Sequence, residues 1–330
     1  MIGDGRGVLA GRESGTLSDD GGTAGPTLRI IYRSHGGENT KSRPPYYSKL
    51  LGLASAVRAI RESGPSTRVI YWNDGPIPGD RLELMRASGE VVQIDGGSNR
   101  ASYRAAITMA AASAWSHDDV VWFAEDDYLY CPPAFRRVSQ AAAAVPQADY
   151  LSVFGGRALD PASPRTATTW FPRRGAADAP DPVDVEGVAW FRGVSTTSTF
   201  GVRLGVLRAD RRLLRMIPYS GGSWDHTTCL TVQGRRPFGW GEIREELLPF
   251  GSAPPGRWPA SVARGVMRSG VNLRSRRLER HRRTLYLSDP VGAQHMELPG
   301  VGGGLDWPAL AAETRAWALD HGIRVPARLA

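Results

Sequence analysis

The chain has 330 residues, of which 41% are hydrophobic and 22% are charged. These values are ordinary for a soluble globular protein, so the chain can bury a sizeable core in one large α/β domain or two small ones. The formal net charge is +8, and only two of the 41 basic residues, Lys41 and Lys49, are lysines. Because arginine can bind a phosphate group through two hydrogen bonds, this composition favours anionic ligands.

The cysteine content and the hydropathy pattern argue against three classes of protein. Cys131 and Cys229 are the two cysteines, and they form no CxxC or Cys/His finger spacing. We therefore expect neither a disulfide framework nor a zinc finger, and a reduced, cytoplasmic location. The sequence has no signal-like apolar segment at its start and no apolar run of membrane-spanning length, so we expect no membrane span.

Apolar runs and helical patterns alternate along the first half of the chain. Residues 1–26 are rich in Gly, Ser, Asp and Thr and predict a disordered leader. The predicted strands are 28–32, 68–72, 90–94, 119–124 and 149–154. The predicted helices begin at Pro44-Pro45, Asp80, Ser98 and Pro132-Pro133, and a final helix covers 305–321. This alternation predicts an α/β fold with a mostly parallel sheet flanked by helices.

The second half of the chain has a looser pattern. Residues 160–187 are rich in Pro, Ala and Asp and predict a long loop, and 187–207 contains short strand-like runs. Residues 257–283 contain nine arginines. That stretch is typical of a solvated face, and it is also suited to a phosphate-bearing ligand, an anionic acceptor or a membrane surface.

The strongest candidate site is the acidic triplet Glu125-Asp126-Asp127, which follows the fourth predicted strand. Three adjacent carboxylates repel one another, so a buried strand that ends in them requires a cation. In extended backbone Glu125 and Asp127 point to one side and Asp126 to the other. Such hard oxygen ligands suit Mg²⁺ or Mn²⁺ bridged to a diphosphate. The alternative is a solvated acidic turn, or carboxylates that cap the helix after it.

Other polar residues also follow predicted strands. Ser34 and His35 follow the first strand, Asn73 and Asp74 the second, and Asp95 the third. Ligands of parallel α/β sheets bind outside the carboxyl ends of the strands, so these side chains are candidates for a nucleotide site. The glycine-containing loop after His35 matches neither a P-loop nor GxGxxG, and a simple flexible loop is its alternative.

The order and spacing of these motifs over residues 28–154 resemble the nucleotide-binding half of GT-A-fold, family-2-like glycosyltransferases. In that resemblance Asn73-Asp74-Gly75 holds the base, the loop at Asn99 and the helix at Arg104 approach the donor phosphates, and Glu125-Asp126-Asp127 takes the place of the Asp-x-Asp (DXD) motif. Glu125 stands where the family usually has Asp.

The resemblance implies a Rossmann-like GT-A domain with a mixed acceptor-side half. Its parts are a donor half (27–155), an acceptor half (156–304) and a C-terminal helix and tail (305–330). It implies transfer of a hexosyl group from a nucleoside-diphosphate sugar to a hydroxyl of a glycan, glycolipid or small aglycone, with Mn²⁺ or Mg²⁺. The implied donor-binding residues are Ser34, His35, Asn73, Asp74, Asn99, Arg104, Glu125 and Asp126, and the implied metal ligands are Asp127, Glu125 and His295.

The candidate base for an inverting transfer lies in the second half of the chain. Asp225 follows a glycine-rich loop and opens a predicted helix, and one well-placed carboxylate suffices to deprotonate an acceptor hydroxyl. The adjacent His226 could serve instead, and an N-cap role is the alternative for Asp225. His295 resembles the late histidine of the metal shell, and a structural histidine is its alternative.

Two other functions remain open from the sequence. A sugar-1-phosphate nucleotidyltransferase shares the α/β layout, but its usual glycine-rich, arginine-containing loop is not present after the first strand. A basic nucleic-acid-binding protein would account for the arginines, but no zinc-finger, RRM or helix-turn-helix signature occurs. The sequence therefore argues against a nucleic-acid partner and leaves open a peripheral contact of 257–283 with the inner face of a membrane.

Overall fold

The computed structural model describes residues 25–38, 41–154, 181–249, 254–278, 281–298 and 305–326. The strands in these ranges are β1 (Leu28–His35), β2 (Thr67–Asp74), β3 (Glu90–Ile94), β4 (Val120–Glu125), β5 (Tyr128–Tyr130), β6 (Tyr150–Ser152), β7 (Val183–Val185), β8 (Val188–Arg192), β9 (Phe200–Arg203), β10 (Leu285–Asp289) and β11 (Ala293–His295). The helices are α1 (Lys49–Arg61), α2 (Gly79–Ser88), α3 (Asn99–Ala112), α4 (Ala134–Ala144), α5 (Leu204–Met216), α6 (Trp224–Val232), α7 (Trp240–Leu247), α8 (Trp258–Leu278) and α9 (Trp307–Asp320).

In the described part of the chain nine strands form a mixed sheet, in the order β3-β2-β1-β4-β9-β6-β10-β8-β7. The block β3-β2-β1-β4 is parallel throughout. Beyond it β9 is antiparallel to both neighbours, β10 is parallel to β6, and β8 and β7 are antiparallel. The predicted α/β class, with a parallel first part and a mixed second part, is confirmed.

Helices cover both faces of this sheet, and the two larger of the three apolar clusters among the described residues lie between the helices and the sheet. Ile30 and Tyr32 of β1 lie in the core that contains buried residues of α1, α2, α4 and α9. Ile31, between them, lies in the core that contains buried residues of α3, α5, α6, α7 and α8. Because successive strand residues point to opposite faces, a strand buried on both sides must be apolar throughout. This explains why 28–32 and 119–124 are the clearest strand signals in the sequence.

Serine caps position two helices next to the sheet edge. Ser98 begins α3 as predicted, and its side chain accepts a hydrogen bond from the Ala101 amide. The predicted start of α1 at Pro44-Pro45 is wrong, because Ser48 caps that helix and accepts a hydrogen bond from the Leu51 amide at 3.0 Å. Asp80 lies in the first turn of α2 and is not its N-cap.

The remaining expectations meet the structure unevenly. Of the predicted leader (1–26), only residues 25–26 are described. Of the predicted loop (160–187), only residues 181–187 are described. The end of that loop contains β7, so a loop is wrong there. Most of the arginine-rich stretch forms α8. Both cysteines are buried and unpaired. No helix within the described ranges combines the length and apolarity needed to cross a bilayer.

Candidate functional site

An open cleft of about 700 Å³ lies at the carboxyl ends of β1, β2 and β4. The loop after β3, the start of α3, the segment between β8 and β9, the start of α6 and β11 complete its walls. The predicted site residues that line it are Ser34, His35, Asp74, Asn99, Glu125, Asp126, Asp127, Asp225 and His295. Segments from both halves of the chain therefore meet at the edge where α/β sheets bind ligands.

Asp126 is held by the protein on several sides. Its Oδ2 atom accepts hydrogen bonds from Ser34 Oγ at 2.9 Å and from the His35 amide at 3.1 Å. The same oxygen lies 3.0 Å from Lys49 Nζ and 3.7 Å from Arg81 Nη1. Asp126 therefore fixes the loop after β1 to the acidic turn, and two cations neutralise its charge.

Asp127 faces the cleft beside a histidine and an arginine. Its Oδ2 atom lies 3.0 Å from His295 Nε2, and Arg43 Nη2 donates to it at 3.1 Å. Burial alone raises the pKa of Asp127, but His295 and Arg43 outweigh it and hold that pKa well below the usual range. The His295 ring stacks on Tyr128, with ring centroids 4.8 Å apart, so its orientation is fixed.

Glu125 ends β4 opposite an arginine of the neighbouring strand. Arg33 pairs with it in the β1–β4 register, and Arg33 Nη1 lies 3.4 Å from the Glu125 carboxylate. Burial nevertheless raises the pKa of Glu125 to about 7, and the negative charge of Asp127 contributes in the same direction. Arg33 Nη2 also donates to the Asn99 carbonyl at 3.0 Å and to the Asn99 side chain, which ties the start of α3 to the acidic turn.

Asp74 organises the loop that leads into α3. Its Oδ1 atom accepts hydrogen bonds from the Gly96 amide at 2.7 Å and the Gly97 amide at 3.2 Å. A Cβ atom at Gly96 would lie only 2.7 Å from Asp74 Oδ2, and Gly97 has a φ of +68°. Both positions therefore favour glycine, and this loop brings Asn99 and Ser102 to the cleft.

Asp225 lines the cleft from the first turn of α6. Its Oδ1 atom accepts hydrogen bonds from Ser223 Oγ at 2.7 Å and from the His226 amide at 2.8 Å. The N-cap position belongs to Ser223, whose side chain makes no capping bond. Asp225 is therefore not the N-cap that the sequence left as its alternative role, and its other carboxylate oxygen has no hydrogen-bond partner within the described ranges.

Three predicted site residues do not line the cleft. Asn73 is fully buried at the end of β2, because adjacent strand residues point to opposite faces and Asp74 takes the cleft side. Arg104 donates to Tyr219 Oη at 2.5 Å, since helical geometry turns it away from Asn99. His226 follows Asp225 in a helix and therefore points elsewhere, with its Nδ1 atom 2.9 Å from Ser195 Oγ. Burial lowers the pKa of His226.

The sequence interpretation did not pair the acidic turn with the protein's own cations. Arg33 and Lys49 line the cleft, and Arg43 and Arg81 reach the carboxylates from beside it. A signal existed for Arg33, which is a charged residue inside an apolar strand, and for Lys49, which opens the apolar pattern of α1. Trp224 and the polar pair Thr197-Ser198 also line the cleft without having been singled out.

The described residues contain no group of three or more His, Cys, Asp or Glu side chains able to hold a metal ion by themselves. Asp127 Oδ2 and His295 Nε2 supply two ligand atoms 3.0 Å apart on the cleft wall, while Glu125 faces Arg33. Mg²⁺ is usually bound by one or two carboxylates together with substrate phosphates and water. These residues therefore fit an ion that a bound diphosphate helps to coordinate, and do not fit a preformed metal centre.

Comparisons with known proteins give distant structural likenesses only. No protein-family model matches the chain, and no curated protein matches it in sequence. A CMP-2-keto-3-deoxy-manno-octonic acid synthetase in complex with CTP is 12% identical over 89% of this chain and 99% of its own, with a TM-score of 0.37. The galactosyltransferase LgtC in complex with donor and acceptor sugar analogues is 10% identical over 86% of this chain and 95% of its own, with a TM-score of 0.35. These values are too low to assign an activity.

Proposed function

We propose that the protein is a glycosyltransferase that moves a hexosyl group from a nucleoside-diphosphate sugar to an acceptor hydroxyl, with inversion at the anomeric carbon. The observation that carries the proposal is the convergence of Asp74, Glu125, Asp127, Asp225 and His295 on one cleft at the carboxyl edge of the sheet. Their order along the chain also resembles that of GT-A-fold enzymes. The acceptor would be a glycan, a glycolipid or a small aglycone.

The charge of the cleft supports a divalent cation as the partner of the donor. Six carboxylates line the described part of the cleft, against the three lining cations Arg33, Lys41 and Lys49, while Arg43 and Arg81 reach Asp127 and Asp126 from beside it. A diphosphate entering an acidic cleft is repelled unless a cation lies between the two. Asp127 and His295 would hold Mn²⁺ or Mg²⁺ together with the donor phosphates. When bound, the ion supplies positive charge that stabilises the leaving nucleoside diphosphate.

The loops at the ends of β1 and β2 would bind the rest of the donor. Asp74 and the adjoining glycine loop border the cleft on the β2 side, where a base and ribose would lie. Ser34 and His35 border it on the β1 side and are immobilised by Asp126. Asn99 is held by Arg33, so its position is set before a ligand binds. Such preorganisation lowers the entropy cost of binding.

Asp225 would act as the general base. Its free carboxylate oxygen takes the proton of the acceptor hydroxyl while the acceptor oxygen bonds to the anomeric carbon. The bond from that carbon to the diphosphate oxygen breaks in the same step, and the nucleoside diphosphate leaves with the electron pair. His226 is a weaker candidate, because it lies outside the cleft lining and contacts Ser195.

A thermal-shift screen of nucleoside diphosphates and nucleotide sugars, with Mn²⁺, Mg²⁺ or EDTA, tests the proposal. We expect at least one nucleoside diphosphate to raise Tm, and to raise it more with the metal than with EDTA, because a ligand that binds only the folded state stabilises it. If none of the ligands raises Tm under any condition, the proposal is wrong.

Product analysis separates this activity from its nearest competitor. A sugar-1-phosphate nucleotidyltransferase joins a nucleoside triphosphate to a sugar phosphate and releases pyrophosphate. A glycosyltransferase consumes the nucleotide sugar and releases a nucleoside diphosphate. Release of pyrophosphate from the first substrate pair, with no turnover of nucleotide sugars, would replace glycosyl transfer by nucleotidyl transfer as the function of this cleft.

A further inference from the structure

A second groove, of about 540 Å³, lies between α5 and α8 and shares no residue with the cleft at the sheet edge. Its lining contains five arginines and no carboxylate; the arginines are Arg208, Arg211, Arg212, Arg274 and Arg277. Like charges gathered in one groove repel one another, and a concave surface concentrates their field. The groove is therefore suited to an anionic partner.

Four of the five arginines are available for such a partner. Arg208 is the exception, because it donates hydrogen bonds to the backbone carbonyls of Ser113 at 2.7 Å and Trp115 at 3.2 Å. Within the described part of the chain, Arg211, Arg212, Arg274 and Arg277 make no ion pair, and the last two lie on the exposed side of α8.

Their surroundings contrast with those of two other arginines in α8. Arg264 Nη2 lies 2.9 Å from Glu246, and Arg268 Nη1 lies 3.5 Å from the same carboxylate. Those two arginines join α8 to α7 and have a structural role. The end of α8 that carries Arg274 and Arg277 has no such carboxylate among the described residues, so no ion pair within those residues accounts for its charge.

An exposed apolar stripe runs along the same helix. Val262, Val266 and Leu273 are 37%, 60% and 51% exposed. Their spacing of four and seven residues places them on one face of α8. Leu273 also lines the groove, so the stripe and the arginines form one continuous surface, which we call the α8 surface.

We propose that the α8 surface is a peripheral contact site for an anionic phospholipid membrane, independent of the proposed glycosyl transfer. The free arginines would bind lipid phosphates, and the apolar stripe would enter the boundary between headgroups and acyl chains. Charge complementarity alone also suits nucleic acid or a free phosphate. Of these three ligands only a bilayer uses both halves of the surface, because nucleic acid and free phosphate leave Val266 and Leu273 in water.

Vesicle co-sedimentation of the full chain tests the proposal. The probes are phosphatidylcholine vesicles with and without about a third of phosphatidylglycerol, at low and high salt. We expect binding only to the anionic vesicles. Arg274→Gln together with Arg277→Gln should weaken it by roughly 30-fold, since each arginine near an anionic surface contributes about fivefold. Val266→Ser together with Leu273→Ser should weaken it by on the order of tenfold or more.

A matched control changes the same number of charges elsewhere. Arg86 of α2 and Arg136 of α4 are exposed, and their helices pack on the opposite face of the sheet. Arg86→Gln together with Arg136→Gln should leave vesicle binding unchanged. The changed side chains are exposed in every variant, so unchanged Tm values serve as the check on folding.

Three results would overturn the proposal. The first is that the wild-type protein does not bind anionic vesicles. The second is that the control pair weakens binding as much as Arg274→Gln with Arg277→Gln does, which would show that vesicle binding depends only on the net positive charge of the protein. The third is that the serine variants bind as well as wild type while duplex DNA or inorganic phosphate competes fully, which would make the groove a site for soluble polyanions.

Discussion

Replacing Asp126 by asparagine tests whether the acidic turn is held by the protein's own cations. Asparagine keeps the shape of the side chain and can still accept a hydrogen bond from Ser34, but it removes the charge that faces Lys49 and Arg81. Removing one member of a buried ion pair costs about 3–5 kcal/mol. We expect a cost at the lower end of this range, about 3 kcal/mol, because both cations keep other hydrogen-bond acceptors. Lys49 also donates to the carbonyls of His35 and Gly37, and Arg81 also donates to those of His35 and Gly36.

Thermal unfolding measures this effect. For a chain of this size about 3 kcal/mol corresponds to a fall in Tm of roughly 4–5 °C. The matched control is Glu62→Gln, which removes the surface pair with Arg58 at 3.4 Å and should cost less than about 1 kcal/mol. If Asp126→Asn lowers Tm no more than the control Glu62→Gln does, Asp126 is not a buried anchor of the turn.

Three further predictions address neighbouring residues. Asp127→Ala should abolish the extra rise in Tm that Mn²⁺ or Mg²⁺ adds to a nucleoside diphosphate, and an increment that survives would exclude Asp127 as a ligand. In metal-free buffer, Glu125→Gln should stabilise the protein relative to wild type by an amount that grows as the pH rises from about 4.5 to about 7. The reason is that burial raises the pKa of Glu125 in the folded state, so ionisation of this carboxyl destabilises the wild-type fold over that range. A difference in Tm between the two proteins that does not change with pH would contradict this prediction. Arg104→Ala should leave nucleoside-diphosphate affinity unchanged in calorimetry, since Arg104 faces Tyr219; a clear loss of affinity would place it at the donor.

The sequence predicted the parallel part of the fold well because its signals are local. An apolar run long enough for a strand and a serine at position 98 each act within a few residues, and the structure places β4 and the start of α3 accordingly. The rule that ligands bind at the carboxyl ends of parallel strands then led to the cleft. Asp74, Arg104 and Asp127 were predicted to share a cleft; Asp74 and Asp127 line it, and Arg104 does not.

The pairing of charges could not be predicted because it depends on tertiary contacts. Lys49 and Arg81 meet Asp126 from α1 and α2, and Arg43 meets Asp127 from a loop more than 80 residues away. The sequence predicted a metal cation at the acidic turn, and that ion stays a prediction; the cations that the structure shows there include Lys49, Arg81 and Arg43.

Side-chain direction at element ends was the second source of error. Asn73 and Asp74 are adjacent, as are Asp225 and His226, and in each pair one member lines the cleft and the other does not. Strand alternation and the 100° step of a helix separate such neighbours, so a one-residue error in a predicted boundary exchanges their roles.

The measurement that tests the central claim most directly is the rate of nucleoside-diphosphate release from a nucleotide sugar by wild type and by Asp225→Asn. The substitution keeps the size of the side chain and removes the proton acceptor on the cleft wall. We predict turnover by wild type in the presence of Mn²⁺ or Mg²⁺, and a loss of on the order of a hundredfold or more in Asp225→Asn with donor affinity preserved. Turnover by Asp225→Asn close to that of wild type would contradict the assignment of the base, and no turnover of any nucleotide sugar by wild type would contradict glycosyl transfer itself.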